Sequence, residues 1–247
     1  MTLNHAAVSS IVVLFRGGRL PAWHRLAPSQ RREYEQEHVD LMLSVARQHR
    51  MKSMEGFRLI APQERWERFW IIEFPSLEGA EAWIEAEMAP PYGLYGFYEY
   101  YLSRPFRPDE FSTWVTHPRL TSSSKTVADP HQIPSLEVDL SGIVVLLFGR
   151  SLSGSDAVDP SVRGDQEHID LMKGIAREHR MMRLEAFQLI DPQPDWHRAW
   201  VMEFPDLAGA EAWIDGEILP PHGAYSNKIM YLARRWAPEY FSSWVTS

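Results

Sequence analysis

The sequence predicts an α+β protein made of two tandem βαββαβ units in one chain. Three observations predict it. First, Gly79-Ala80-Glu81-Ala82-Trp83-Ile84 returns unchanged as Gly209-Ala210-Glu211-Ala212-Trp213-Ile214, and 43 of the 80 positions from Glu37 to Thr116 match the residue 130 further on. Second, short β-branched runs alternate with stretches of helical periodicity in the same order in both copies. Third, 247 residues with 45% hydrophobic content suit two small domains of roughly 100 residues each. The expected boundaries are 8–116 for the first repeat, 117–141 for a linker rich in Ser, Pro and Asp, and 142–247 for the second repeat.

Each element has a local reason. Ile11-Val12-Val13-Leu14-Phe15 and its partner 143–148 read as buried strands. Tyr34 to Met51 is predicted helical, with His38, Leu41, Met42, Val45 and His49 on one stripe. Met54–Ile60 and Trp66–Phe74 read as strands, separated by a turn that begins at Pro62-Gln63. Leu77–Glu87 reads as a second helix with Ala80, Trp83, Ile84 and Glu87 on one face. Pro90-Pro91 stops it, because Pro has no N–H to donate and disfavours helix in the residue before it. Tyr95–Arg104 is an aromatic-rich fourth strand. This order is the split βαβ, or ferredoxin-like, unit. Its sheet carries helices on one face, so the other face must also be buried.

Composition narrows the function. The net charge of −8 argues against nucleic-acid and anionic-membrane partners, which call for clustered Lys and Arg. With no Cys there are no disulfides, thiolate metal sites or Cys nucleophile, which fits a reducing cytoplasm. No apolar run approaches the roughly 18–20 residues of a membrane span, and no signal-peptide pattern opens the chain. Gly-rich phosphate loops, His-Glu-x-x-His and Gly-x-Ser-x-Gly do not occur.

The βαββαβ order, the His-x-x-Leu of the first helix (His38 and Leu41, His168 and Leu171) and the segment Ser76-Leu77-Glu78-Gly79-Ala80-Glu81-Ala82-Trp83 resemble the dimeric α/β-barrel superfamily, and within it the YCII-like and EthD-like proteins. The resemblance implies two ferredoxin-like units that form an intramolecular dimeric α/β barrel, a monomeric pseudo-dimer or loose homodimer. In YCII-like proteins a first-helix His and an Asp-Pro after the second helix form the proposed active site. His38 and His168 match the first element. Glu87 and Glu217, followed by Pro90-Pro91 and Pro220-Pro221, depart from the second. The superfamily also holds cofactor-free monooxygenases, cyclases, isomerases and haem enzymes such as chlorite dismutase.

The candidate catalytic residues are His38, His168, Glu87 and Glu217. A His aimed at the sheet serves as general base or haem ligand, or as a hydrogen-bonded core residue. A Glu on an apolar stripe pairs with a partner or carries a raised pKa. His49 and His179 read as helix-capping and packing residues, and Asp40 as solvated. Arg68 and Arg198 are anion anchors, or partners of the flanking indoles and of Glu73 and Glu203. Trp70, Trp200, Trp83, Trp213, Tyr98 and His222 complete an expected pocket for a planar or aromatic small molecule. The leading expectation is a lyase, isomerase, cyclase or cofactor-independent monooxygenase of secondary metabolism or aromatic degradation, with no metal and no cofactor. One alternative is a haem enzyme of the chlorite-dismutase type with His168, His179 or His222 as axial ligand. The other is a non-catalytic ligand binder.

The two copies are not equal. Phe97-Tyr98-Glu99-Tyr100 stands against Asn227-Lys228-Ile229-Met230, Tyr92 against His222, and Glu67 against His197. The first loop differs in length, and Trp23 and His24 occur only in the first copy. These differences predict two pockets that have diverged.

Overall fold

The computed structural model describes residues 10–106, 111, 113–115, 118 and 141–241. The first series runs β1 (Ile11–Arg19), α1 (Pro21–Arg25), α2 (Pro28–Gln48), β2 (Ser53–Leu59), β3 (Arg68–Phe74), α3 (Leu77–Glu87) and β4 (Gly96–Phe106). The second runs β5 (Ile143–Ser151), α4 (Pro160–Arg163), α5 (Asp165–Glu178), β6 (Arg183–Leu189), β7 (Arg198–Phe204), α6 (Leu207–Ile218) and β8 (Ser226–Arg235). Each contains βαββαβ, with one short extra helix, α1 or α4, in its first loop.

The strands pair antiparallel within each series. In the first the order is β4-β1-β3-β2: Val13 faces Ile72 and Leu102, and Gly56 faces Trp70. In the second it is β8-β5-β7-β6: Val145 faces Met202 and Leu232, and Ala186 faces Trp200. Among the described residues no helix is long and apolar enough to cross a membrane.

By internal contacts the chain divides into two compact units. In the first, Ile11, Val13 and Phe15 alternate toward a core with Trp70, Ile72, Phe74, Met42 and Trp83. Burying each large apolar side chain contributes about 1.5–3 kcal/mol. Val12, Leu14 and Ile71, on the opposite face of the strands, are buried as well, as a continuous apolar run requires. Trp236, Tyr240 and Phe241 pack into this core. In the second unit, Val145, Leu147, Met202, Phe204 and Trp213 form the corresponding core, joined by Phe111, Trp114 and Val115. The packing units therefore differ from the sequence repeats at these tail segments. The expected linker, 117–141, lies outside the described residues except at 118 and 141.

Several expectations need adjustment. The first long helix begins at Pro28, not Tyr34, because Pro at the first helical position is preorganised there. Its buried face is His38, Val39, Met42 and Ala46. Leu41 is 39% exposed, so the stripe is turned relative to the predicted one. β1 continues four residues past Phe15, and β3 starts at Arg68 rather than Trp66. α3 matches its predicted span. Ser76 caps it by accepting from the Gly79 N–H at 3.4 Å, and Asp206 caps α6 by accepting from the Gly209 N–H at 3.1 Å.

Candidate functional site

The second unit encloses a cavity of about 310 Å³ between sheet and helices. Its apolar wall comes from Leu147, Trp200, Met172, Trp213, Phe111 and Trp114. Polar groups meet on another side. His168 of α5 and His222, in a short 3-10 turn before β8, stack face to face with centroids 3.8 Å apart and planes at 9°. His168 Nε2 lies 3.7 Å from Glu217 Oε2, and Lys228 Nζ holds that same oxygen at 2.5 Å. His222 Nδ1 lies 3.3 Å from Asp165 Oδ1. Burial, then repulsion from a protonated His222 and from Lys228, pushes the His168 pKa down to about 3, so the imidazole is neutral near pH 7.

The cavity also carries donors without partners. The indole N–H groups of Trp114 and Trp213 and the Ser226 hydroxyl are buried and make no hydrogen bond among the described residues. Arg198 donates through Nε to Gln188 Oε1 at 2.8 Å and lies over the Phe106 ring at 4.9 Å. No carboxylate lies within salt-bridge distance of it among the described residues. An unmade hydrogen bond at a buried donor costs about 1–3 kcal/mol. A ligand with acceptor atoms and negative charge removes that cost.

The same place in the first unit is filled. Its cavity is about 20 Å³. The Arg19 guanidinium lies 3.8 Å from the Tyr92 ring centroid and 4.3 Å from that of Trp23. The Tyr92 and Tyr240 hydroxyls share a 2.5 Å hydrogen bond, and Arg19 Nη2 donates to Tyr240 at 3.4 Å. Tyr98 stands where the second unit has Lys228. His38 stacks on Tyr92 at 3.7 Å and 10°, and its Nε2 lies 3.5 Å from Glu87 Oε2. Burial raises the Glu87 pKa to about 7, against the pull of Arg19 and Arg68. Burial and then Arg19 lower that of His38 to about 3. Near pH 7 His38 is thus neutral, and Glu87 is close to half protonated.

The expected His–Glu meeting is therefore present in both units. Trp70, Trp200, Trp213, Arg68, Arg198, Tyr98 and His222 all line one cavity or the other. Trp83 does not: it is fully buried against Phe74, with centroids 5.9 Å apart. Arg68 stands beside Glu67 at 3.3 Å and over Trp236 at 4.9 Å, not on Trp66 or Trp70 and not on Glu73, which Lys52 approaches. His179 is the C-cap residue of α5, its Cβ packs close to Gly209, and it is not among the residues that line the cavity. The sequence reading did not single out Arg19, Tyr240, Asp165 or Arg163. For the last two the available signal was the loop whose length differs between the copies. Among the described residues, no group of three or more His, Asp or Glu is arranged to hold a metal ion by itself.

No family model matches the chain, and no curated protein matches it. Solved structures do. A variant of the chlorite dismutase from Candidatus Nitrospira defluvii superposes with a TM-score of 0.68 at 9% identity, covering 97% of each chain. The same enzyme in complex with imidazole gives 0.67 at 9%, again over 97% of each. A chlorite dismutase candidate, TA0507, gives 0.60 at 12%, over 92% of this chain and 95% of that one. At these identities the likeness is one of fold. It shows that the chain shares the α+β, ferredoxin-like fold of these chlorite dismutases. The YCII-like and EthD-like assignment gains no support. The likeness also corrects the leading functional expectation: the fold neighbours are chlorite dismutases, not a cyclase, isomerase, lyase or cofactor-free monooxygenase of secondary metabolism. The expectation of no cofactor loses its support with it.

Proposed function

We propose that the second unit's cavity is the binding site of this protein and that it takes a haem, as a chlorite-dismutase-like protein. The observation that carries the reading is His222. A metal-ligating imidazole typically gives its other ring N–H to a carboxylate, and His222 turns Nδ1 to Asp165 while Nε2 has no partner among the described residues. The rest of the donor set suits the same guest. Trp200, Trp213 and Leu147 offer flat apolar contact to a planar ring, and Arg198 and Arg150 offer positive charge to its carboxylates. His168, neutral and braced by Glu217 and Lys228, supports the inner face of His222. A bound haem supplies one-electron and oxygen chemistry at its iron. The chain's own part is to bind, orient and shield. The first unit has neither the free imidazole nor the space, so its His38–Glu87 pair serves packing. The absence of Cys suits a cytoplasmic protein.

The test is titration of the purified full chain with haemin, followed by absorption. The expected result is a saturable Soret shift that His222→Ala weakens about 10-fold or more. No shift, or an unchanged spectrum and affinity in His222→Ala, overturns the reading. One observation favours a second reading, a smaller planar carboxylate without iron: the cavity volume is near the low end of the roughly 300–1,000 Å³ usual for ligand sites. Quenching of tryptophan fluorescence by aromatic carboxylates, with no haemin binding, would select it.

A further inference from the structure

The second unit has a feature that the first lacks, and it lies in the loop where the two copies differ in length. α4 is only four residues and ends at Gly164, whose φ of +69° lets the chain turn directly into α5. A Cβ at this position would also stand 2.7 Å from Pro221 Cγ. The turn leaves Arg163 and Asp165 side by side. Arg163 Nε donates to both Asp165 oxygens at 3.2 Å, and Nη2 donates to Oδ2 at 2.5 Å. Arg163 Nη1 is anchored on the Ser155 carbonyl at 2.8 Å. The Asp165 carboxylate is therefore fixed in place, and its Oδ1 faces His222 Nδ1 at 3.3 Å.

A carboxylate held by a guanidinium accepts hydrogen bonds and has none to give. The ring nitrogen that faces it must then carry the proton. The other charged groups around the imidazole are Lys228 and Glu217, which pair with each other, and His168 covers its inner face. None of them is shown hydrogen-bonded to His222 Nε2. We propose that Asp165, clamped by Arg163, is a positioning residue that fixes His222 as the Nδ1–H tautomer and so keeps the Nε2 lone pair for the guest of the cavity. The counterpart region of the first unit cannot do this: α2 runs unbroken from Pro28 to Gln48, and Tyr92 replaces the imidazole.

The inference rests on the proposed function only for the identity of the guest; the tautomer belongs to the chain alone. The test is made on the ligand-free full chain, labelled with ¹⁵N-histidine, by long-range ¹H–¹⁵N correlation spectra near pH 7.5. His222→Gln identifies the signal. The expected wild-type pattern for His222 is a protonated Nδ1 and an unprotonated Nε2. Asp165→Ala loses that pattern in favour of Nε2–H, Asp165→Glu retains it in part, and Arg163→Met shifts it toward a mixture. Circular dichroism and thermal melting of each variant show that the fold is intact. A wild-type His222 protonated at Nε2, or an Asp165→Ala spectrum identical to wild type, overturns the proposal. Haemin affinity is read separately, and Asp165→Ala is expected to weaken it about 10–100-fold. If the tautomer result holds and haemin does not bind, the haem reading alone fails.

Discussion

The two units keep the same polar pair and surround it differently. His38–Glu87 and His168–Glu217 sit at 3.5 and 3.7 Å, each imidazole stacked on a ring at under 4 Å. Around the first pair, Arg19, Tyr92, Tyr98 and Tyr240 close the space to about 20 Å³. Around the second, Ser151, His222 and Lys228 leave about 310 Å³. The retained pair therefore does not mark a working site by itself. What differs is whether a neighbouring ring nitrogen and an empty volume stand beside it. A buried His–Glu pair with no room for a guest is a packing feature, and the same pair at the edge of a cavity forms part of its wall.

The largest expected effect comes from moving the plug. Ser151→Arg with His222→Tyr and Lys228→Tyr places the first unit's side chains in the second and should abolish haemin binding, a loss of at least about 100-fold, or more than about 2.7 kcal/mol. The three positions share one cavity, so the single changes will not add up to the triple. Retained binding in the triple variant breaks the comparison. Next comes Arg19→Ala, which removes a guanidinium packed on two aromatic faces. Urea denaturation should show a loss of about 1–3 kcal/mol, whereas Ser151→Ala, at the matching exposed position, should stay within about 0.5 kcal/mol.

The third prediction concerns pH. The Glu87 pKa is raised from 4.5 to about 7 in the folded chain. The native state therefore holds a proton that the unfolded state has lost, and this contribution to stability falls as pH rises from about 4.5 to about 7. His38, lowered from 6.5 to about 3, works in the opposite sense: its neutral form is favoured above 6.5 and stability is lost as pH falls toward 3. Glu87→Gln removes only the first contribution. The wild type should lose about 1–3 kcal/mol relative to Glu87→Gln between pH 4.5 and 7.5, read by denaturation at a series of pH values. A constant difference across that range contradicts the buried, protonated Glu87. The smallest effect tests what the units share: Ser76→Ala and Asp206→Ala should each cost about 1 kcal/mol, nearly equal because both remove the same helix cap.

Much of this was legible in the residues. The duplication gave the element order. The proline pair gave the end of α3, and the apolar stripe of α3 brought Glu87 toward His38. The mismatch of Tyr92 with His222 and of Tyr98 with Lys228 pointed to divergence. Trp83 was misjudged because helical spacing places a residue on the inner face without saying whether that face meets a cavity or another ring, here Phe74. Arg19 was missed because nothing local shows that a strand-end arginine folds back over Trp23 and Tyr92. Tyr240 and Trp114 were beyond reach for a different reason: each packs in the unit opposite to the one its own repeat suggests, and sequence periodicity carries no information on that. Asp165 and Arg163 gain meaning only once Gly164 turns them together.

The central claim is that one unit binds and the other is sealed, and the stoichiometry of haemin binding to the full chain tests it most directly. The account predicts one equivalent per chain, lost in the Ser151→Arg, His222→Tyr, Lys228→Tyr variant and unchanged by His38→Gln. Two equivalents, or one that depends on His38, would contradict it.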